Sequence, residues 1–344
     1  FCKSRSVPHA LKEGIEQELT RLENLGVLEK VRYSEWAAPI VPVVKPDKSI
    51  RICGDYKVTV NSVLQVDQHP LPNPEQLFVE LSEGEKFTKL DLSQEYQQIL
   101  LDEDSREYVT INTHKGLYRP TRLPFRVAST SAIFQSKIEQ VLQGIPMVVC
   151  RVDNILVSGK NDQDNLKNLN KVLTRLKQAG LRLKMAKCKF MKPSVEYLGY
   201  RVDMHGLHAI EKKVKAIKNV PAPENQQQLR SLLGMVNYYA KFVNNYSTVV
   251  HPLNELLRHN VKWKWTKKGN DAFCALKERL SAAPVLTHFR SELPLKLGTD
   301  ASNYGIGAVI SHIMPNGKER PIAFASRTLS KSERNYAQIE KEAL

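Results

Sequence analysis

Two aspartates, Asp91 and Asp153, stand at the ends of apolar runs, where a carboxylate could do chemistry. Asp153 lies at the centre of Val148-Val149-Cys150-Arg151-Val152-Asp153-Asn154-Ile155-Leu156-Val157. Apolar residues on both sides of a short polar centre read as a buried hairpin with an acid at its tip. Asp91 lies 62 residues upstream, closing the strand-like run Phe87-Thr88-Lys89-Leu90-Asp91. Carboxylates from two adjacent strands can hold divalent ions for phosphoryl transfer, because such ions take oxygen ligands and offset developing phosphate charge. Strand-end acids also cap turns and helices, and pattern alone leaves that plainer reading open. A third stretch is basic. Ser34 to Val44 is extended, because Pro39 and Pro42 exclude a helix. Lys45-Pro46-Asp47-Lys48 is a turn, and Ser49 to Cys53 returns as a strand. The hairpin carries Lys45, Lys48 and Arg51 near its tip, which suits a triphosphate and equally suits plain solubility.

The surrounding elements must present these groups. Leu11, Ile15, Leu19, Leu22 and Leu25 predict one amphipathic helix over Leu11 to Val31, with Gly26 as its stop signal. Further helices are predicted at Glu75–Leu81, Ser131–Gln143, Asp162–Ala179, Gln226–Phe242, Tyr246–Arg258 and Asp271–Ser281. Tyr108–Asn112 and Gly116–Pro120 read as a strand pair, and Val195–Val202 as another hairpin strand. Leu293–Gly298, Gly305–His312 and Arg320–Ser326 read as three strands in meander order, with a last helix starting near Lys331.

The 344 residues suffice for two or three domains, and 42% hydrophobic with 25% charged content is that of an ordinary soluble protein. No apolar run approaches the roughly 20 residues of a membrane span. The chain starts at Phe1 without a signal peptide, so it reads as a processed product or a fragment with an intracellular, cytoplasmic or nuclear location. Net charge is +15, and Ser158 to Val220 alone holds fifteen Lys or Arg against five Asp or Glu. Concentrated basic charge suits a phosphate backbone, though a solvated basic face gives the same pattern. The five cysteines are scattered with no CxxC pair, which argues against zinc and fits a reducing compartment.

Taken in order, the motifs resemble the polymerase protein of gypsy-class LTR retrotransposons and, more distantly, retroviral reverse transcriptases. The resemblance covers essentially the whole chain. It rests on Trp36-Ala37-Ala38-Pro39-Ile40, Arg51-Ile52-Cys53-Gly54-Asp55-Tyr56, Lys89-Leu90-Asp91-Leu92-Ser93, Leu123-Pro124-Phe125, Ala132-Ile133-Phe134-Gln135, Asp153-Asn154-Ile155-Leu156-Val157, Tyr197-Leu198-Gly199 and Thr299-Asp300-Ala301-Ser302. It implies an α+β right-hand polymerase followed by a partial ribonuclease H-like α/β domain. Fingers and palm would occupy residues 1–205, a helical thumb 206–260, a connecting segment 261–292 and the ribonuclease H-like part 293–344.

The resemblance also implies an RNA-directed DNA polymerase using two Mg²⁺, replaceable by Mn²⁺. Its partners would be a primed RNA or DNA template, an RNA–DNA heteroduplex and deoxynucleoside triphosphates. Carried across, Asp91 and Asp153 match the metal-binding acids. Lys45, Arg51, Tyr96 and Phe125 match the nucleotide side, with the Tyr96 ring under the sugar excluding a ribose 2′-hydroxyl. Gln135 matches a template-side residue, and Leu198 and Gly199 match the loop that grips the primer end. Asp300 and Glu342 match metal-binding catalytic acids of ribonuclease H, with Glu340 a poorer candidate. The family's further acids come from a fourth strand and a late helix. The chain ends at Leu344 before either, so no ribonuclease H activity is expected from this polypeptide alone.

Four positions depart from the family pattern. The hairpin motif Tyr-x-Asp-Asp reads Arg151, Val152, Asp153, Asn154, so an aromatic becomes a cation and the second acid an amide. Glu95 replaces a small residue, and Arg126 replaces the glycine after Leu-Pro-Phe. All four adjoin the chemistry, so catalysis is expected to be impaired. The alternative is a non-catalytic, nucleic-acid-binding relic of a retroelement polymerase.

Overall fold

A computed structural model describes residues 1–258 and 261–344. In chain order its elements are α1 (His9–Asn24), β1 (Leu28–Val31), β2 (Ala38–Val44), β3 (Ile50–Gly54), α2 (Pro74–Glu80), β4 (Lys86–Asp91), α3 (Glu103–Arg106), β5 (Ile111–Thr113), β6 (Gly116–Pro120), α4 (Thr130–Leu142), β7 (Val148–Arg151) and β8 (Asn154–Gly159). There follow α5 (Asp162–Gln178), β9 (Lys189–Lys192), β10 (Ser194–Tyr197), β11 (Tyr200–Asp203), β12 (Gly206–Ala209), α6 (Glu211–Asn219), α7 (Gln226–Asn237), α8 (Tyr246–Glu255), α9 (Lys267–Ser281), β13 (Leu295–Ala301), β14 (Gly305–Ile313), β15 (Glu319–Thr328) and α10 (Gln338–Glu342). Helices and mostly antiparallel sheets make the α+β class expected. The last two residues of the span read as thumb, 259 and 260, lie outside the described residues.

The chain divides into two compact units. The first comprises Phe1–Asn73, Lys89–Val157 and Leu166–Lys189; the second comprises Pro74–Thr88, Ser158–Asn165 and Phe190–Leu344. In the first, α1 buries Ile15, Leu19 and Leu22 at helical spacing against Leu28, Ile40, Tyr56, Ile111 and Tyr118. Each such side chain contributes about 1.5–3 kcal/mol on burial. The sheet beneath runs β1-β6-β5-β2-β3. β2 pairs with β5 only over Ala38 and Pro39, so beyond Ile40 it is bonded to β3 alone. That single-sided pairing lets Pro42, which has no N–H to give, sit inside a strand.

β7, β8, β4 and β9 form a four-stranded sheet in that order, which sets the strand ending at Asp91 beside the arm that follows Asp153. Within the second unit, β10-β11-β12 and β13-β14-β15 are three-stranded meanders, accompanied by α6 to α9. Among the described residues no helix is long and apolar enough to cross a membrane.

Several expectations need correction: the strand expected over Tyr108–Asn112 begins only at Ile111, after a 3₁₀ turn at Glu107–Val109, and that over Val195–Val202 is two strands, broken at Leu198–Gly199. The helix predicted over Leu11–Val31 ends at Asn24; Gly26 takes φ +65° and Leu28–Val31 leaves as a strand paired with Leu117–Pro120. Pairing to β6 overrides a periodicity that Leu28 happens to continue. The helix predicted to Phe242 stops at Asn237 and is followed by a separate 3₁₀ turn, Ala240–Phe242. The last helix starts at Gln338 rather than near Lys331, after a 3₁₀ turn at Glu333–Asn335. Glu333 accounts for this delay, because its carboxylate holds Arg327 and the Ser330 N–H.

Candidate active site

Leu90 and Leu92 are buried at 0% and 2% exposure and drag Asp91, at 7%, to the end of its strand. Asp153 stands in the two-residue turn Val152–Asp153 between β7 and β8. The Leu92 N–H donates to the Asp153 carbonyl at 3.0 Å, and the Lys184 N–H donates to the Asp91 carbonyl at 2.8 Å. The backbone thus brings the two sequence-predicted acids together. Their side chains already have partners: the Lys187 ammonium lies 3.3 Å from Asp91 Oδ1, and the Asn154 amide donates to Asp153 Oδ1 at 2.7 Å. Arg151 Nε is buried without a hydrogen-bond partner. Two carboxylates fit a hard divalent cation, which takes oxygen ligands. They fit it with one anion fewer than an Asp-Asp hairpin and with the Lys187 ammonium already beside Asp91. Among the described residues no group of three or more His, Cys, Asp or Glu is arranged to hold a metal.

Glu95 faces the same acids. Burial raises its carboxyl above the usual range; Asp153 and Asp91 add to the rise, while its own backbone N–H and Arg51 oppose it. Arg51 lies with its guanidinium carbon 4.5 Å from the Phe125 ring centre. Tyr96 meets Phe125 edge-on at 5.2 Å and Phe134 at 5.5 Å, and its hydroxyl lies 3.1 Å from Ser131 Oγ. Arg51, Tyr96 and Phe125 therefore form one cluster with a fixed tyrosine ring. Lys45 is at the hairpin turn, its N–H bonded to the Ser49 carbonyl. Arg126 takes φ +72°, a left-handed conformation that favours glycine. The sequence reading placed a lost glycine there, and the backbone retains the glycine's shape.

Gln135 lies beneath the Asp153 hairpin. Expected on the template side, it is fully buried at 0% exposure. Its amide nitrogen donates to Glu139 Oε1 at 2.7 Å and to the Cys150 carbonyl at 3.1 Å, and its oxygen accepts the Val152 N–H at 2.7 Å. Val152 is a β-branched residue at φ +54°, so the turn that lifts Asp153 is strained, and Gln135 braces it from below.

In the second unit, Leu198 and Gly199 form the two-residue turn between β10 and β11, with φ +44° and +77°. Sequence reading missed what holds them. The Tyr238 hydroxyl donates to the Leu198 carbonyl, and the Tyr239 hydroxyl donates to the Gly199 carbonyl at 3.0 Å. A side chain on Gly199 would meet Tyr238 Oη at 2.6 Å.

Asp300 and Glu342 line one cavity of about 340 Å³ with Ser326, Arg327 and Lys341. Asn245 donates to Asp300 Oδ2 at 2.8 Å, and Gln338 links Glu342 to the Ala301 carbonyl at 2.8 and 2.9 Å. Glu340 instead caps its own helix through the Ala337 N–H.

Residues 43–202 match the family model of reverse transcriptase (RNA-dependent DNA polymerase), and residues 265–344 match that of the RNase H-like domain found in reverse transcriptase. The Tf2-7 and Tf2-3 transposon polyproteins of Schizosaccharomyces pombe are each 31% identical over 340 residues, 98% of this chain and 25% of theirs. Reverse transcriptase and RNase H-like family models thus match this chain, and its relatives are retrotransposon polyproteins of the gypsy type. The chain carries reverse transcriptase and RNase H-like domains of a retrotransposon polyprotein and spans about a quarter of the length of those relatives. Solved structures agree. A foamy viral protease-reverse transcriptase in complex with dsDNA is 26% identical, with a TM-score of 0.90 over 99% of this chain and 71% of that one. The same protein in complex with an RNA/DNA hybrid gives 0.86 over 99% and 46%, also at 26% identity. The right-hand polymerase with an RNase H-like addition is thus the fold. Proteins of these two families generally use divalent metals.

Proposed function

We propose that this chain is the template-copying segment of its polyprotein, binding a primed template or RNA–DNA heteroduplex, with nucleotidyl transfer impaired at the palm. One observation carries the reading: Asp91 and Asp153 meet at a strand end and a hairpin tip, but the next ligand position is Asn154. Asp91 and Asp153 would hold Mg²⁺, or Mn²⁺ in its place, with Lys187 displaced from Asp91. Bound there, the metal would lower the pKa of a primer hydroxyl and offset charge on the leaving pyrophosphate. The chain's own residues do the rest. Arg51 on Phe125 offers a cation to a triphosphate, and the wedged Tyr96 ring blocks a ribose 2′-hydroxyl. Asn154 contributes no charge, Glu95 sets a carboxylate against an incoming triphosphate, and Arg151 competes with a cation for the acids. In the RNase H-like domain, Asp300 and Glu342 would be the metal ligands.

The alternative, a relic that holds primer–template without extending it, draws on Lys187 and Asn154 already engaging both acids. Both readings require binding. A gel shift on an RNA–DNA heteroduplex at low salt should show a complex whose affinity falls steeply with salt, as phosphate contacts demand. No complex at low salt would refute both.

A further inference from the structure

We propose that Tyr238 and Tyr239 are positioning residues that fix the primer-end turn, Leu198–Gly199, to the end of helix α7. The proposal rests on the polymerase reading and names residues for it that lie outside the motifs above. Both turn residues have positive φ, as a tight two-residue hairpin demands, and their carbonyls lie outside the β10–β11 ladder. Water could satisfy those carbonyls. Two adjacent tyrosine hydroxyls from one helix end do more, because they fix the turn at two points.

The rest of the contact makes the joint stiff. Tyr200, which follows the turn, stacks on Tyr238 with ring centres 5.1 Å apart and planes 13° apart. The Tyr200 hydroxyl donates back to the Tyr238 carbonyl at 3.2 Å. Hydrogen bonds therefore run both ways between hairpin and helix. Lys241 lies 3.9 Å from the Tyr200 ring centre and 3.2 Å from Glu75 Oε1, closing the far side. Tyr239 is 2% exposed and Tyr238 45% exposed, so the turn is held from a buried side and a solvent side. Burial foremost pushes the Tyr239 hydroxyl up to about 12, so it remains a protonated donor in any neutral buffer. Helix α7 is itself anchored by buried Leu229, Leu232, Leu233 and Val236. A primer end resting on Leu198–Gly199 would be registered to that helix, and loosening the joint should blur the position of the end without removing the duplex.

The test uses the full chain and an RNA–DNA heteroduplex with 2-aminopurine as the primer's terminal base, compared with a blunt duplex of the same sequence. Tyr238→Phe and Tyr239→Phe remove only hydroxyls. The double variant should bind total heteroduplex within about twofold of the native chain, since phosphate contacts dominate affinity. Its preference for a recessed over a blunt end should fall about five- to tenfold, the worth of one or two net hydrogen bonds. Terminal 2-aminopurine fluorescence should shift toward the value of the unheld end. Tyr238→Phe alone, at an exposed position, should show part of both effects even if the double variant fails to fold. End preference and fluorescence unchanged in a folded variant would overturn the positioning role and leave the polymerase reading standing. A native chain that binds no heteroduplex would overturn that reading, and this one with it.

Discussion

Replacing Gln135 with leucine isolates the brace beneath the catalytic hairpin. The substitution keeps volume and helix propensity and removes four hydrogen bonds, one of them a weak contact to Cys150 Sγ at 3.6 Å. Their losses are unequal. Glu139 has a second oxygen held by His69 at 2.7 Å and stands half exposed, so water replaces its lost donor. The Cys150 carbonyl keeps the environment of its paired strand opposite Ile155. The Val152 N–H has no such substitute, and a part-buried orphan donor costs about 1–2 kcal/mol. Val152 also sits at φ +54°, a conformation that persists only while its surroundings enforce it. Gln135→Leu should therefore cost about 2 kcal/mol, concentrated at the hairpin tip. Native-state hydrogen exchange reads this directly: Val152 should exchange roughly ten- to thirtyfold faster, with amides of α1 unchanged. Unchanged protection at Val152, or equal loss in α1, would refute the brace and return Gln135 to an ordinary core position.

Other outcomes follow from the same geometry. Glu95 is raised by burial, with Asp153 and Asp91 adding, so the folded chain keeps its proton to higher pH than the unfolded chain does. Stability is then greatest at acid pH and falls as pH rises from the ordinary carboxylate value through the raised one. Glu95→Gln should accordingly raise the urea midpoint at about pH 7.5 and leave it unchanged near pH 4; an equal gain at both would sink the argument. Arg126 at φ +72° carries left-handed strain of about 1–2 kcal/mol, partly offset by the unfolded-state entropy that glycine adds. Arg126→Gly should be neutral or stabilising by up to about 1 kcal/mol in urea unfolding, and a clear loss would mean that the arginine side chain holds the turn.

What the sequence made legible was local and strongly patterned. The runs around Asp91 and Asp153 are apolar enough to be buried strands whatever else happens, and burial puts their acids at the ends. The basic hairpin was readable because Pro39 and Pro42 leave the backbone little choice. The position of Arg126 was readable only through the family pattern, and the positive φ now supplies its physical meaning. Gln135 was placed only through the family pattern, and its bond to the hairpin turn above it is visible only in the fold. Lys187 and the Tyr238–Tyr239 pair reach partners through contacts that no local spacing encodes, about 40 residues away for the tyrosines. Leu28–Val31 was read as helix because its strand character comes from a partner near residue 119.

The central claim is that a sound polymerase scaffold carries a damaged palm. Primer extension on poly(rA)–oligo(dT) tests it most directly, with the native chain and with a variant bearing Asn154→Asp, Arg151→Tyr, Glu95→Gly and Arg126→Gly, each in Mg²⁺ and in Mn²⁺. The native chain should extend poorly in Mg²⁺ and better in Mn²⁺, and the fourfold variant should gain about 10²-fold or more in Mg²⁺, the worth of a few kcal/mol at the transition state. Equal extension by both chains, or a folded and heteroduplex-binding variant that stays inactive, would contradict the account.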